Sequence, residues 1–145
     1  AGERTAVDRA IVLAKQAGAK RALARPVSVP SHCALMRPAA DVLRERLDAT
    51  AFRMPDIPVL HNVSVGTAQS PEDMRSLLSQ QLYSPVRWIE TIAAMKQRFS
   101  VEKVLEAGPG KVLTGLTKRI DPDLAGIAVF DTASLDRALT ETSHA

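Results

Sequence analysis

Two polar residues, His32 and Gln81, lie at positions where a catalytic role is possible. His32 follows a β-branched run punctuated by prolines, in PVSVPSHCALM, and a helical pattern begins straight after it. In α/β sheets, reactive residues lie on loops just past the carboxyl ends of strands. A neutral imidazole at such a place can serve as a general base. It can equally be a histidine that only satisfies a backbone group, and its position leaves both interpretations open.

Gln81 lies on the apolar side of a predicted helix, four residues after Leu77 and seven after Met74. An amide placed there costs about 1–3 kcal/mol unless it finds a hydrogen-bond partner. Gln81 therefore either bonds to a structural partner or orients a catalytic group. Cys33, next to His32, is not expected to be its nucleophile, because neighbouring side chains diverge in an extended segment. We interpret Cys33 as a small buried residue.

The remaining histidines do not suggest a metal site. His61 lies in the middle of a predicted strand, where packing is the simplest role, and His144 lies near the chain end, where disorder is expected. Neither pairs with other ligand-type residues at metal spacing, so we predict no metal. A single cysteine also excludes an internal disulfide and a multi-cysteine zinc site.

The turn in EAGPGKVLTGL joins a predicted strand to a predicted helix, as nucleotide-binding loops do. A P-loop requires a glycine where Leu105 stands and a hydroxyl where Val112 stands, and a dinucleotide fingerprint requires glycine or alanine in place of Leu113. The segment therefore favours a tight structural turn over a nucleotide-binding α/β domain.

A recognisable nucleophile is missing. Serine hydrolases and transferases of α/β architecture carry their serine in a G-x-S-x-G elbow. The sequence has seven glycines, and none is followed two residues later by serine.

The bulk composition is that of an ordinary globular domain. Of the 145 residues, 46% are apolar and 24% are charged, and no apolar run is long enough to cross a bilayer. The net charge of +3 is too small to suggest nucleic-acid binding, although it suits an acidic protein partner. We expect a cytoplasmic protein without a membrane partner. Because Ala1 stands in place of an initiator methionine, we also expect the sequence to be a piece of something longer.

Helical and extended patterns alternate along the chain, which predicts the α/β class with a mostly parallel sheet. The predicted strands are Arg21–Val29, Ile57–Val65, Val101–Leu105 and Ile127–Phe130. The predicted helices include one that ends at Gly18, one on the stripe of Met36 to Leu47, two that begin at Ser70-Pro71 and Ser84-Pro85, one over Lys111–Ile120, and a last one capped by Thr132 or Ser134.

Three segments, VSVPSHCALMRPAADVL, QLYSPVRW and EAGPGKVLTGLTKRI, together resemble the C-terminal half of bacterial malonyl-CoA:acyl carrier protein transacylase. The resemblance extends from Ala1 to about Phe130. It implies an α/β-hydrolase-like large subdomain with a parallel sheet, into which a ferredoxin-like small subdomain is inserted. Residues 1–27 would be the tail of the small subdomain, and residues 28–145 would belong to the large one.

The resemblance also implies a ping-pong reaction, in which a serine takes malonyl from coenzyme A and passes it to the phosphopantetheine thiol of acyl carrier protein, for fatty acid synthesis. His32 would be the general base, and Gln81 would hold it in place of the acid of a triad. The serine, the oxyanion-hole donors and the arginine that binds malonyl would all precede Ala1. The fragment should then be inactive alone and should expose apolar surface.

Partners follow from the same resemblance. No cofactor is implied beyond coenzyme A as the carrier of the substrate, and the complete enzyme is expected to be monomeric. Because carrier proteins of this pathway are acidic, two basic pairs, Lys20-Arg21 and Lys118-Arg119, are candidates for docking. Each is equally well explained as ordinary solvated charge.

Two other functions fit the same segments. One is an acyltransferase domain of a larger, polyketide-type synthase with a different extender unit. The other is a homologue that binds carrier protein without catalysis, which the presence of both His32 and Gln81 disfavours.

Overall fold

The structure is a computed structural model, and it describes residues 1–143. The chain divides into two compact units, Ala1–Arg87 and Trp88–Ala145, which are considered separately below. His144, for which disorder is expected, lies outside the described residues.

The first unit contains three helices and a small hairpin. The helices are α1 (Arg4–Gln16), α2 (Arg37–Asp48), which a 3₁₀ turn at Ala34–Met36 precedes, and α3 (Pro71–Gln81), and the strands are β1 (Leu60–His61) and β2 (Gly66–Thr67). The second unit comprises α4 (Trp88–Phe99), β3 (Lys103–Ala107), α5 (Val112–Ile120), β4 (Ala125–Val129) and α6 (Thr132–Thr142). Within residues 1–143, every helix is too short or too polar to cross a membrane.

Helix α1 ends at the glycine that the sequence predicts. Gly18 adopts a left-handed φ of +89°, which glycine tolerates because it has no Cβ. Its N–H donates to the carbonyl of Lys15, and the N–H of Ala19 donates to the carbonyl of Ala14. This pair of bonds closes the helix end in a Schellman motif.

The predicted strand Arg21–Val29 is wrong, because the structure has no regular element there. Short turns centred on Pro26 and Pro30 bend the chain, and an extended segment becomes a strand only when a neighbour pairs with it. Its apolar side chains remain in solvent, with Leu23 67% and Val27 73% exposed. The expected exposure of apolar surface is therefore observed.

The second predicted strand, Ile57–Val65, is much shorter than expected. The chain reverses after His61, whose carbonyl accepts the N–H groups of Ser64 and Val65. Strands β1 and β2 then pair antiparallel across this turn, with His61 opposite Gly66.

Helices α2 and α3 pack antiparallel, and main-chain carbonyls of α2 hold them together. The Ser79 hydroxyl of α3 donates to the carbonyl of Ala40, a residue only 1% exposed. The Arg75 guanidinium donates to the carbonyls of Leu47 and Thr50 at the other end of α2. These bonds bring the beginning of α2 beside the end of α3.

The second unit contains a β–α–β motif. Strands β3 and β4 run parallel, in a register that begins at Lys103 opposite Ala125 and ends at Ala107 opposite Val129. Helix α5 connects them. The small parallel sheet among helices confirms the α/β class, although both strands begin two residues away from their predicted positions, since the pairing register sets their ends.

A carboxylate of β3 caps α5. Glu106 accepts the N–H groups of Leu113 and Thr114 and the Thr114 hydroxyl, at 3.0, 2.7 and 2.7 Å. The Thr114 hydroxyl and main chain hold the pKa of Glu106 below its ordinary value of 4.5. Strand β3 thereby supplies a cap that the sequence preceding the helix lacks.

Two other helix starts differ from the prediction. Helix α4 begins at Trp88 rather than at Ser84-Pro85, and the N–H of Arg87, just before it, donates to the Asn62 side chain. Asp131 caps α6 in place of Thr132 or Ser134, and Ser134 completes its capping box. Hydrogen bonds from the Ser134 hydroxyl and N–H hold the pKa of Asp131 below its ordinary value.

Strand β4 passes so close to α5 that only glycine fits at position 126. A Cβ on Gly126 would lie 2.8 Å from Cγ2 of Thr114. We predict that Gly126→Ala lowers the free energy of unfolding by about 1–3 kcal/mol, measured by urea denaturation. Adding Thr114→Ser, which removes that methyl and keeps the hydroxyl for Glu106, should restore most of the loss.

Gly115→Ala is the matched control for this prediction. A Cβ on Gly115 would meet nothing within 4 Å, so the alanine should stabilise the helix by up to about 1 kcal/mol. Equal stabilities of the Gly126→Ala variant and the wild type would contradict the close approach.

Candidate functional site

His32 is attached to the end of α3 by two hydrogen bonds. Its main-chain N–H donates to the carbonyl of Leu82 at 2.9 Å. Its ring Nδ1 lies 3.0 Å from the main-chain carbonyl oxygen of Gln81. One bond fixes the backbone of the loop, and the other fixes the orientation of the imidazole.

The second bond determines which ring nitrogen can react. A carbonyl oxygen only accepts, so Nδ1 must carry the hydrogen. In the neutral ring, the lone pair then lies on Nε2, which has no hydrogen-bond partner within residues 1–143. The His32 side chain is exposed. His32 therefore satisfies a backbone group with one nitrogen and leaves the other free to take a proton.

His32 also has an unusual backbone conformation. Its φ is +63°, in the left-handed region where few residues other than glycine lie, histidine being among the more tolerant. The bond to the Leu82 carbonyl holds it there. Cys33 does not pair with the imidazole, since its sulfur contacts the Pro30 carbonyl at 3.1 Å and the residue is half-buried.

The structure brings His32 and Gln81 together, as the resemblance implies, but through a different group. The contact uses the main-chain carbonyl of Gln81, whereas the sequence suggested its side-chain amide. In the described part of the chain, that amide has no hydrogen-bond partner. Every residue type has the same carbonyl, so no residue pattern could have revealed this contact.

A stacked pair lies beside the histidine. The guanidinium carbon of Arg37, the first residue of α2, sits 4.3 Å from the centroid of the Tyr83 ring. Tyr83 directly follows Leu82, so the residues after α3 contact both His32 and Arg37.

The turn after β3 has no free anion site. The N–H groups that begin α5 would face a phosphate in a nucleotide-binding loop, but those of Leu113 and Thr114 donate to Glu106 instead. This geometry supports the structural interpretation of the turn. His61 is buried, and no group of three or more metal-ligating side chains occurs among the residues described.

The two basic pairs are both exposed to solvent. Lys20 and Arg21 follow the end of α1, and Lys118 and Arg119 lie in the last turn of α5. Over residues 1–143, none of the four forms an ion pair. Their role in docking remains a prediction.

No model of a known protein family matches the chain. Individual proteins do: the chain is 53% identical over 136 residues to the malonyl CoA-acyl carrier protein transacylase of Haemophilus influenzae, covering 94% of this chain and 43% of that protein. The chain is a relative of the bacterial malonyl CoA-acyl carrier protein transacylases. This finding confirms the resemblance read from the three sequence segments.

Solved structures of transacylases agree in fold. A malonyl-transacylase in complex with a type II PKS acyl-carrier protein superposes with a TM-score of 0.91 at 54% identity, over 97% of this chain and 45% of that one. An acyl carrier protein S-malonyltransferase from Vibrio cholerae gives 0.88 at 57% identity, over 94% and 44%. The chain thus spans less than half the length of the transacylases it matches.

The site geometry makes a prediction about Gln81→Ala. Because the main-chain carbonyl holds the ring, the variant should keep His32 in the Nδ1–H form. The ¹⁵N chemical shifts of the imidazole report the tautomer, and His32→Gln assigns the signals by their loss. His61 serves as the internal control, since its signals should not move. A switch of neutral His32 to the Nε2–H form would show that the amide is required.

Proposed function

We propose that the chain is the C-terminal part of an enzyme that transfers malonyl from coenzyme A to acyl carrier protein. The observation that carries this proposal is the His32 ring, bound through Nδ1 to the Gln81 carbonyl with Nε2 free. This is the arrangement that a general base of acyl transfer needs. The close similarity to malonyl transacylases supplies the substrate class.

In the proposed reaction, a serine from the part of the enzyme outside this chain is the nucleophile. His32 Nε2 takes the proton of the serine hydroxyl while the oxygen attacks the thioester carbonyl of malonyl-CoA. The thiolate of coenzyme A leaves and receives that proton from the imidazolium. A malonyl ester of the serine remains.

The second half-reaction reverses these roles. Nε2 takes the proton of the phosphopantetheine thiol, whose sulfur attacks the malonyl ester, and the departing serine oxygen receives the proton. Nδ1–H stays on the Gln81 carbonyl throughout. That carbonyl lies at the end of α3, where the helix dipole is negative and suits a ring that gains positive charge.

The wider assignments belong to the same proposal. Residues 1–27 would complete a ferredoxin-like small subdomain, and residues 28–145 would complete an α/β-hydrolase-like large one. Exposed Leu23 and Val27 fit a segment that is covered by the remainder of the protein. The enzyme would be a cytoplasmic monomer without a cofactor of its own, coenzyme A being only the carrier of its substrate.

One observation favours a second candidate within this chemistry. The structural relative at 54% identity is bound to a type II PKS acyl-carrier protein. A carrier protein of polyketide synthesis is therefore the alternative acceptor. Assaying transfer to both classes of carrier protein distinguishes the two.

We predict that His32→Ala in the complete gene product slows malonyl transfer by at least about 100-fold, the lower end of what a general base contributes. The assay follows labelled malonyl from malonyl-CoA to the phosphopantetheinylated carrier protein. Gln81→Ala is the control and should retain most activity, since it keeps the carbonyl. Unchanged transfer by His32→Ala would refute the proposed role.

We predict a separate effect for the basic pairs. Reversing the charge of Lys20, Arg21, Lys118 and Arg119 together should raise the KM for carrier protein at least about tenfold, because charge complementarity speeds association. Hydrolysis of the malonyl-enzyme should not change. The matched control reverses four exposed cations outside the pairs, Arg4, Arg9, Arg46 and Arg53. The same KM in both variants would show that the pairs are ordinary surface charge.

A further inference from the structure

We propose that the stacked pair of Arg37 and Tyr83 positions His32 for catalysis, an inference that rests on the function proposed above. The two residues tie the far end of the histidine loop to the same short segment that binds the histidine itself. They act through His32 and need not touch the substrate.

Three consecutive residues carry the argument. The Gln81 carbonyl holds the His32 ring, and the Leu82 carbonyl holds the His32 main chain. The ring of the next residue, Tyr83, lies under the Arg37 guanidinium at 4.3 Å. The loop from His32 to Arg37 is thus attached at both of its ends to the residues that follow α3.

The loop needs a second attachment because of its backbone. His32 has a φ of +63°, and a residue with a side chain holds that conformation only when its surroundings fix it. Without the stack, the 3₁₀ turn at Ala34–Met36 would be held at its far end only through α2, whose first bond to α3 is at Ala40. Stacking on Tyr83 fixes where that turn joins α2.

The pair has little to do with the stability of the helix pair. Arg37 is exposed and forms no ion pair within the described residues. Helices α2 and α3 are already bonded to each other through Ser79 and Arg75. Breaking the stack should therefore leave the fold intact and loosen only the loop.

Amide hydrogen exchange tests the positioning without any assumption about activity. Arg37→Ala and Tyr83→Leu should each speed exchange of the His32 N–H by about three- to fivefold, the change expected from losing one exposed cation–π contact. Tyr83→Phe, which keeps the ring, should exchange like the wild type. So should Arg46→Ala, which removes an arginine from the same helix that stacks on no ring.

Kinetics of the complete gene product test the catalytic consequence. Arg37→Ala and Tyr83→Leu should lower kcat, by no more than the roughly three- to fivefold shift expected for the exchange of the His32 N–H, because the reacting group is then positioned for less of the time. The KM values for malonyl-CoA and carrier protein should stay within about twofold, because the pair is not a binding group. Tyr83→Phe and Arg46→Ala should match the wild type, and the melting temperatures of all four should agree.

Specific results would overturn the proposal. A raised KM with unchanged kcat would make Arg37 a substrate contact, and unchanged exchange or unchanged kcat would deny the positioning role. A defect in Tyr83→Phe equal to that in Tyr83→Leu would assign the effect to the hydroxyl. Failure of the proposed function gives a different result: the wild type transfers no malonyl, or His32→Ala transfers it as fast as the wild type. In either case the exchange experiment still tests the positioning of His32.

Discussion

The hydrogen bond between His32 Nδ1 and the Gln81 carbonyl is the interaction on which the site depends. It sets the tautomer, the ring orientation and the nitrogen that has no partner among residues 1–143. A helix end offers carbonyls without partners in its last turn, and the histidine uses one of them. One contact therefore both satisfies a carbonyl at the helix end and fixes the orientation of the imidazole.

Carbonyls without helical partners also determine how α2 and α3 are joined. The carbonyls at the end of α2 accept from Arg75 of α3, and those at the end of α3 accept from His32, just before α2. Each helix is capped by a side chain from the neighbouring segment of an antiparallel pair. In the second unit, Glu106 of β3 caps the beginning of α5 in the same way. Both units therefore contain a helix end that is capped by a residue of another element.

Local signals in the sequence predicted the elements whose ends are fixed by their own residues. Ser70 caps α3 through the N–H of Asp73, and Gly18 ends α1, both as their residue types indicate. The strand predicted over residues 21–29 failed because pairing requires a neighbour, which a local pattern cannot supply. The cap of α5 could not be predicted for the same reason, since Glu106 belongs to a different element.

For the candidate site, the structure places the two predicted residues in contact, through a different group of Gln81 than expected. His32 was singled out as a residue just past a predicted strand that the structure lacks, and Gln81 by its place on the apolar face of its helix. The bond between them uses the main chain, which carries no residue-specific signal. The stack of Arg37 on Tyr83 joins residues far apart in sequence, so neither residue type alone indicated it.

The histidine contact also joins parts of the chain that are far apart in sequence. It joins residues that are 49 positions apart, whereas Glu106 reaches α5 across 7 and 8 positions. Closing the longer loop costs more chain entropy, and the pairing of α2 with α3 brings its ends together. The imidazole is thus oriented by a contact that depends on the helix pair rather than on its own loop alone. A chain whose α2 and α3 have not yet paired has the histidine but lacks the carbonyl contact that orients its ring.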